Sequence, residues 1–373
     1  MSSKQLHIIS FDVPFPADYG GVIDVFFKIK ALHKAGVKII LHCFEYGRTP
    51  QIELEKYVEK VYYYPRKNFR SLLFNTLPYI VLTRKSELLK ERLLNDNFPI
   101  LMEGLHSTLL LNDFDFADRK IIVRTHNIEH DYYNSLAAVE KNIFKRYYFY
   151  NEAGKLAKYE SVLKKASVVT PISPNDTLHF KAINPNSIYI PAFHPFDGVH
   201  FDSANENYFL YHGNLSIGEN NEAALYLINE VFKKLPYKLI IAGSKPSTDL
   251  QKAVSENENI ELNQNCSPEE IYKLIAKAKC NILPTFQSTG IKLKLLTALY
   301  SGQYCIVNLP MVENTGLESL CEVCNETSDM ISAVIRVAET KSFPLESIQQ
   351  RINILSNNFN NESSANKLIA AIF

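Results

Sequence analysis

The stretch CNILPTFQSTGIKLKLLTALYSGQYCIVN (Cys280–Asn308) contains, in order, an apolar run, a loop of small residues, an amphipathic helical pattern and a second apolar run. The runs Cys280–Thr285 and Tyr304–Asn308 predict buried strands, and the pattern Gly290–Ser301 predicts a helix between them. Strand, helix and strand in this order form a βαβ unit with parallel strands. The stretch therefore predicts an α/β fold with a parallel sheet.

The start of this predicted helix combines small residues with two lysines. Thr289, Gly290 and Ile291 would present free backbone N–H groups, and Lys292 and Lys294 follow where the helix dipole disfavours cations. A strongly negative ligand at this helix start would account for them. The lysines lie about 200° apart around the helix, so we favour Lys294, which shares a face with Gly290, as the contacting residue. Solvated lysines on an ordinary helix remain the alternative.

The same alternation of apolar runs and helical patterns extends along the whole chain of 373 residues. It is interrupted once, by a segment rich in Pro, Asn and aromatic residues (Ile183–Tyr208), which predicts a crossing between two domains. Beside the two runs already named, the predicted strands are Leu6–Val13, Val37–Phe44, Val61–Pro65, Pro99–Leu105, Lys120–Asn127, Ser167–Ser173, Tyr208–Asn214, Tyr237–Gly243, Ile260–Gln264 and Cys321–Asn325. Ligands of such folds bind beyond the carboxyl ends of the strands.

Composition excludes some classes of partner. Forty basic and forty acidic residues give a formal net charge of zero, so no overall field favours nucleic acid. The six cysteines predict reduced thiols, because the single C-x-x-C (Cys321–Cys324) has no second ligand pair nearby. No signal-peptide core and no apolar run of spanning length is present, which predicts a cytoplasmic protein.

Two stretches of the first half are candidates for function. Gly20 and Gly21 open a helix after a proline-rich loop, an arrangement that suits a substrate or phosphate but is also that of a simple tight turn. His126 ends a predicted strand in VRTHNIEHDYY (Val123–Tyr133), where it could meet a ligand or be a core histidine. The HNIEH spacing does not fit a helical zinc motif, so we predict no metal site there.

Basic and aromatic residues interleave in Pro65–Leu93 and again in Lys141–Tyr150. Such a surface could contact the inner membrane face as a peripheral protein, or bind a lipid-linked acceptor. A solvated helical hairpin on the first domain is the favoured alternative.

Taken together, these stretches resemble a GT-B-fold glycosyltransferase of glycosyltransferase family 4, over most of the chain. The blocks that carry the resemblance are FPADYGGV (Phe15–Val22), RTHNIEHDYY (Arg124–Tyr133), AKYE (Ala157–Glu160), TPISPND (Thr170–Asp176), FLYHGNLS (Phe209–Ser216), LIIAGSKP (Leu239–Pro246) and TGIKLKLLTALYSGQYCIVN (Thr289–Asn308). The resemblance implies an α/β GT-B fold, in which two Rossmann-like, doubly wound parallel-sheet domains face a central cleft. Residues 1–185 would form the acceptor-side domain, 186–207 the linker and 208–356 the donor domain, with 357–373 as a terminal helix returning to the first domain.

The resemblance also implies a reaction. A sugar would move from a nucleotide-diphosphate sugar to a hydroxyl of a saccharide or lipid-linked saccharide, with retention of configuration and without a metal ion or other cofactor. This is the chemistry of surface polysaccharide or glycolipid assembly. His126 and Lys294 would be catalytic, and Gly20 and Gly21 would shape the acceptor side. The implied donor-binding residues are Gly213, Asn214, Gly243, Thr289, Gly290, Ile291, Lys292 and Thr297.

Two departures from the family pattern leave a second function open. Members commonly carry two glutamates on the donor helix, where this chain has Thr289 and Thr297. Many also carry an Arg and a Lys after the first strand of the second domain, where this chain offers Glu219. A catalytically impaired GT-B-fold binding or scaffold protein is therefore the main alternative, and a GT-B epimerase or phosphorylase is a third.

Overall fold

The structure is a computed structural model that describes residues 4–201, 206–286 and 293–373. The chain divides into two compact units. The first comprises Met1–Ala138, Asn142–Pro195 and Phe359–Phe373, and the second comprises Val139–Lys141 and Phe196–Asn358. Each unit has its own parallel sheet, as the sequence predicts.

The sheet of the first unit has six strands in the order β3-β2-β1-β4-β5-β6. They are β1 (Gln5–Ser10), β2 (Lys38–Glu45), β3 (Lys60–Pro65), β4 (Ile100–Glu103), β5 (Ile121–Arg124) and β6 (Val168–Val169). Every residue of β4 and β5 is buried, because helices cover both faces of the sheet, and this explains why these strands read as continuous apolar runs. The winding reverses between β1 and β4, so the carboxyl ends of these two strands form the switch point where ligands of such sheets bind.

The α-helices of the first unit follow the strands and close the chain. They are α1 (Gly20–Lys34), α2 (Tyr79–Leu82), α3 (Glu87–Leu93), α4 (Leu109–Asp113), α5 (Glu129–Val139), α6 (Ile143–Tyr159), α7 (Pro174–Ile183) and α15 (Asn361–Ile372). The terminal helix α15 places Leu368 and Ile372 in the same core cluster as Ile29 and Leu32 of α1.

The expected linker of residues 186–207 is shorter than the sequence suggests. Its first part, to Pro195, belongs to the first unit, where Ile190 and Phe193 are fully buried. The carbonyl oxygens of Ile190 and Pro191 accept hydrogen bonds from Arg124 at 3.0 and 2.9 Å. A buried guanidinium needs such acceptors, so Arg124 holds this segment on the sheet.

The second unit repeats the winding of the first, with its strands in the order β12-β11-β10-β7-β8-β9. They are β7 (Glu206–His212), β8 (Lys238–Gly243), β9 (Ile260–Gln264), β10 (Ala278–Ile282), β11 (Tyr304–Val307) and β12 (Glu322–Val323). The α-helices are α8 (Gly218–Tyr226), α9 (Thr248–Ser255), α10 (Pro268–Lys277), α11 (Leu293–Ser301), α12 (Leu309–Val312), α13 (Thr327–Glu339) and α14 (Leu345–Asn358). The switch point of this sheet lies between β7 and β10.

Local sequence signals explain several of these boundaries. Ser267 accepts a hydrogen bond from the backbone of Glu270, and the Glu270 side chain accepts one from the backbone of Ser267, which is the capping box that the sequence predicts at the start of α10. The six cysteines are free thiols. In the described ranges, no helix combines the length and the apolar character that a membrane span requires.

Candidate functional site

The loops after β7 and β8 lie against each other in the second unit. The Gly213 N–H donates to the Ala242 carbonyl oxygen at 3.0 Å, and the Leu215 N–H donates to the Ser244 carbonyl oxygen at 3.0 Å. A β carbon on Gly243 would lie 2.0 Å from the carbonyl oxygen of Gly213, a separation that no side chain permits. The backbone approach beside the switch point therefore requires glycine at position 243.

Lys294, in the first described turn of α11, reaches the end of β7 and the start of α8. Its Nζ lies 3.0 Å from Asn220 Oδ1 and 3.4 Å from the Tyr211 hydroxyl, and it stands 5.1 Å from the centre of the Tyr211 ring. Asn220 in turn donates to the carbonyl oxygen of Asn214 at 3.0 Å. The structure thus brings Lys294 to the Gly213–Asn214 loop, two elements that the sequence assigns to one ligand. Asn220 makes the connection, and nothing in the sequence distinguishes it from the adjacent Asn221.

The side chain of Asn214 is used within its own loop. Its Oδ1 accepts from the Ser216 N–H at 3.1 Å and from the Ser216 hydroxyl at 2.7 Å. This is an Asx turn, which fixes the loop shape that places Gly213 beside β8.

Glu219 links the two strands at the switch point. Its carboxylate accepts a hydrogen bond from the hydroxyl of Thr285, which follows β10. The backbone N–H of Thr285 donates to Asn308 Oδ1 at 2.9 Å, and Asn308 follows β11. A carboxylate at the start of α8 therefore stands where the resemblance leads one to expect basic residues, and it joins α8 to the loop after β10. Asn308 in turn joins that loop to the end of β11.

The remaining predicted donor residues divide into two groups. Thr297 is half-buried on α11 and donates its hydroxyl proton to the Leu293 carbonyl oxygen at 3.0 Å, one helical turn earlier. Thr289, Gly290, Ile291 and Lys292 lie outside the described residues.

The charge of Lys294 acts on the adjacent end of β7. His212 is buried, and burial together with the Lys294 charge lowers its pKa to about 3. Its imidazole is therefore neutral at physiological pH, and Lys294 supplies a positive charge beside it.

The first unit carries a buried cluster of charged side chains beneath its own switch point. Lys28 of α1 donates to Asp24 at 2.9 Å and to Glu103 at 2.8 Å, and Arg124 holds Asp24 through two hydrogen bonds of 2.8 and 2.7 Å. Burial opposes ionisation of Asp24, but Arg124 and Lys28 lower its pKa well below the usual value. Two cations thus balance two carboxylates where water is excluded.

His126 lies against this charge cluster at the carboxyl end of β5. Its Nε2 is 3.3 Å from Asp24 Oδ2 and 3.4 Å from Glu103 Oε2. Burial disfavours protonation, yet the two carboxylates outweigh it and raise the pKa of His126. A β carbon on Gly21 would lie 3.5 Å from His126 Nδ1, so the predicted Gly-Gly helix start and the predicted histidine are neighbours.

The three acidic and imidazole groups of this cluster, Asp24, Glu103 and His126, stand close enough to share a metal ion. The Lys28 ammonium already lies between the two carboxylates, at hydrogen-bond distance from both. An ion would have to displace that ammonium, so the donor set suits an internal cation better than a metal.

Sequence reasoning missed a second set of groups at this edge. Glu129 opens α5 and is buried, which raises its pKa to about 7, and its Oε1 lies 3.8 Å from His106 Nδ1. Arg84 was expected on the basic surface but is buried; its Nε donates to the Phe11 carbonyl oxygen at 2.9 Å. Burial also lowers the pKa of Arg84 to about 9. The distance of 73 residues between Arg84 and Phe11 explains why no local pattern reveals this contact.

Residues 206–340, which contain Gly213, Gly243 and Lys294, match the model of the family described as Glycosyl transferases group 1. The matched segment lies within the second unit. An uncharacterized 44.6 kDa protein in the cps region of Klebsiella pneumoniae is similar over a longer part of the chain than the family model. The two sequences are 29% identical over 330 residues, which are 84% of each protein.

Solved structures extend the similarity beyond the matched segment to both units. Sucrose-phosphate synthase from Thermosynechococcus elongatus superposes with a TM-score of 0.71 at 16% identity, over 98% of each chain. TarM from S. aureus gives 0.70 at 10% identity, over 100% of this chain and 99% of that one. HepE from Anabaena, in complex with UDP and glucose, gives 0.65 at 11% identity, over 98% of each. The predicted GT-B fold of two Rossmann-like parallel-sheet domains is confirmed.

Proposed function

We propose that this protein transfers a sugar from a nucleotide-diphosphate sugar to a hydroxyl acceptor, as a retaining enzyme of glycosyltransferase family 4. The observation that carries the proposal is the position of Lys294. Its ammonium reaches Tyr211 at the carboxyl end of β7 and Asn220 at the start of α8. Both residues lie within the segment that matches the model of the glycosyl transferases group 1 family. HepE, a structural relative, binds UDP and glucose, which supports a nucleotide sugar as the donor.

The physical task of this site is to stabilise a departing diphosphate. Lys294 would supply one positive charge, and backbone N–H groups at the start of the donor helix would supply partial charges without reorganisation. We propose that these groups suffice without a metal ion at the diphosphate. The leaving-group oxygen, rather than a protein carboxylate, would then assist deprotonation of the acceptor.

We assign His126 to the sugar. Asp24 and Glu103 raise its pKa, so its imidazole is protonated more readily than that of an ordinary buried histidine. Gly21 lies on the Nδ1 side of the ring, where a β carbon would stand 3.5 Å from Nδ1 and 2.7 Å from the Phe11 ring, so only glycine fits between them. His126 would donate a hydrogen bond to a sugar hydroxyl while Asp24 and Glu103 fix its orientation.

A calorimetric screen with UDP, GDP and their sugars tests this function. Lys294→Met is expected to weaken diphosphate binding about tenfold to a hundredfold, since a hydrogen bond to a charged group contributes about 1.5–3 kcal/mol. Lys252→Met is the matched control, because Lys252 lies on the surface of α9 in the same unit with its nearest carboxylate at 3.9 Å. Equal affinity of Lys294→Met and wild type for a bound nucleotide would remove Lys294 from the site.

The same screen distinguishes an impaired binding or scaffold protein from an enzyme. Thr297 favours this second function, because its hydroxyl proton is donated to the Leu293 carbonyl oxygen where family members commonly have a carboxylate. Absence of binding to every nucleotide would support the scaffold. Binding followed by release of the free nucleoside diphosphate in the presence of acceptor saccharides would support the transferase.

We further propose that the acceptor belongs to surface polysaccharide or glycolipid assembly and is met at a membrane face. The relative in the cps region supports the polysaccharide, and an exposed surface of the first unit supports the membrane. On α6, Ile143, Phe144 and Tyr147 are 62%, 79% and 75% exposed, and Lys145 and Arg146 stand beside them.

Phe74 is a further exposed ring of the first unit, on a second element that contacts α6. It is 91% exposed, and the preceding Leu73 is held to α6 by a hydrogen bond of 2.8 Å from Lys155 to its carbonyl oxygen. Exposed rings beside cations are the pattern of a protein that lies on an anionic bilayer.

Liposome flotation tests the membrane contact. Vesicles with anionic lipid are expected to carry the wild type, and Phe144→Ser with Tyr147→Ser is expected to lose most of the bound fraction. Leu345→Ser is the control, because Leu345 is 82% exposed on α14 of the other unit. No flotation of the wild type would refute the contact and leave the sugar-transfer proposal standing.

A further inference from the structure

Three side chains that are distant in sequence converge in the first unit, away from the charge cluster of Lys28. His130 lies in the first turn of α5, Glu160 follows the last residue of α6, and His179 lies in α7. His179 Nε2 is 2.7 Å from Glu160 Oε2, and His130 Nδ1 is 3.6 Å from Glu160 Oε1. Donor atoms of the three residues all fall within 4.8 Å of one another.

The Nδ1 atom of His130 is placed to bind an ion beside Glu160. Within the described part of the chain, its Nδ1 is buried and has no hydrogen-bond partner, although it faces Glu160. The opposite nitrogen, Nε2, lies 3.5 Å from Asp131 Oδ1. A carboxylate behind the far nitrogen of a ligating histidine fixes its tautomer and raises its basicity.

We propose that His130, Glu160 and His179 bind one divalent cation of the zinc class. Two imidazole nitrogens and one carboxylate oxygen are a donor set that zinc takes in proteins, with bonds of about 2.0–2.2 Å. Tetrahedral geometry then places donors roughly 3.3–3.6 Å apart, near the separation of His130 and Glu160. The side chain of Glu160 is 5% exposed, whereas those of His130 and His179 are 21% and 32% exposed, so an ion can enter from solvent.

Charge and protons balance in this step. The cation takes the place of the proton that His179 Nε2 shares with Glu160. In a neutral imidazole that proton moves to Nδ1 of the same ring, and in an imidazolium it passes to solvent. Both imidazoles bind in their neutral form, and a water molecule completes the coordination. The bound ion would join the start of α5 to the end of α6 and to α7, one helical turn after His126.

The proposed site uses one histidine of the HNIEH motif, where the sequence predicts no metal site. Within that motif His126 and His130 do not share a ligand, because His126 faces Asp24 and Glu103 while His130 faces Glu160. The partners of His130 come from positions 160 and 179, on other helices. The ligands lie outside the residues proposed to hold the diphosphate, so the metal site does not rest on the proposed function.

Zinc titration of the full chain against a chromophoric chelator, after extensive dialysis with chelator, tests the site. Wild type is expected to bind one more equivalent than either His130→Gln or His179→Gln. Cobalt substitution should give visible absorption bands in the wild type that both variants lack. His200→Gln is the matched control, since the exposed His200 has a carboxylate neighbour, Asp197 at 3.2 Å, but belongs to no ligand cluster among the described residues.

Two results would overturn the proposal: an unchanged zinc stoichiometry in both variants, or an equal loss in His200→Gln. Because His179 also anchors α7 through Glu160, circular dichroism of the metal-free variants checks folding. Nitrogen-15 chemical shifts of the wild-type imidazoles need no substitution. They should move for the His130 and His179 rings on zinc addition, and unshifted signals at stoichiometric zinc would also reject the site.

Discussion

The α carbon of Gly243, at the end of β8, faces the carbonyl oxygen of Gly213 so closely that an added β carbon would stand 2.0 Å from that oxygen. The ends of β7 and β8 therefore meet through backbone atoms, with no side chain between them. Gly243→Ala must push the Gly213 loop away, at a cost of about 1–3 kcal/mol in the free energy of unfolding. It should also weaken nucleotide binding, because Lys294 contacts the same loop through Asn220.

Gly198→Ala is the control for this loop. Gly198 belongs to the same unit, and a β carbon there would meet no atom within 4 Å. Chemical unfolding followed by circular dichroism should give the control the stability of the wild type. If Gly243→Ala kept the stability and the nucleotide affinity of the wild type, the close contact between Gly243 and the Gly213 carbonyl oxygen would not be required by the loop.

Lys28 is expected to be essential for the stability of the first unit. It is fully buried and donates to both Asp24 and Glu103, so Lys28→Met leaves two carboxylates without their shared cation. Removing one partner of a buried ion pair costs about 3–5 kcal/mol. Lys34→Met, on the exposed last turn of the same helix, should change the free energy of unfolding by less than about 0.5 kcal/mol. Similar unfolding midpoints for the two variants would contradict a structural role for Lys28.

His126 should matter for turnover more than for folding. Loss of one hydrogen bond from a charged donor predicts a fall in kcat/KM of about tenfold to a hundredfold for His126→Ala. His33→Ala, an exposed histidine on α1, serves as the control. Steady-state rates of nucleoside diphosphate release provide the measurement, and unchanged kcat/KM in a folded His126→Ala protein would exclude a role in the reaction.

The proposed independence of the transfer from a metal ion is tested by adding Mg²⁺ or Mn²⁺ to protein dialysed against chelator. Since Lys294 and backbone N–H groups carry the neutralising charge in this proposal, neither ion should raise the initial rate. After dialysis, the same zinc concentration is present in every assay, so that the occupancy of the proposed site at His130, Glu160 and His179 does not change between assays. A rate that requires Mg²⁺ or Mn²⁺ would show that the diphosphate is bound through an ion.

Local patterns were sufficient to predict the sheets. Each predicted strand is a run of apolar residues whose length and neighbours are visible in the sequence, and both sheets contain the strands expected of them. Helix starts such as Ser267–Glu270 are equally local, because the capping box needs residues only three positions apart.

Contacts between distant residues escaped prediction. Lys28 and Arg84 look like surface cations in sequence, and their burial depends on partners 75 and 73 residues away. The position of Lys294 beside Gly213 was inferred through family resemblance, and the link through Asn220 was not. Charge burial depends on which strand ends share a switch point, and this is a property of sheet order rather than of any single stretch.

The lowered pKa of His212 predicts how the free energy of unfolding changes with pH. Burial, assisted by the charge of Lys294, lowers its pKa to about 3, whereas an unfolded histidine titrates near 6.5. Between these values the unfolded chain binds a proton that the folded chain does not. The stability contribution is therefore complete above about pH 6.5 and falls by about 1.4 kcal/mol for each pH unit below it. Between pH 7.5 and 5.5, the wild type should lose roughly 1.4 kcal/mol more than His212→Gln in urea unfolding.

The comparison isolates His212 because other buried histidines with lowered pKa, such as His42 and His106, are present in both proteins. His200→Gln, which removes an exposed imidazole of the same unit, should keep the wild-type difference between the two pH values. If His212→Gln showed that full difference as well, the imidazole would have to be protonated in the folded protein. A cation would then stand beside the Lys294 ammonium, and the corner would hold more positive charge than the structure assigns to it.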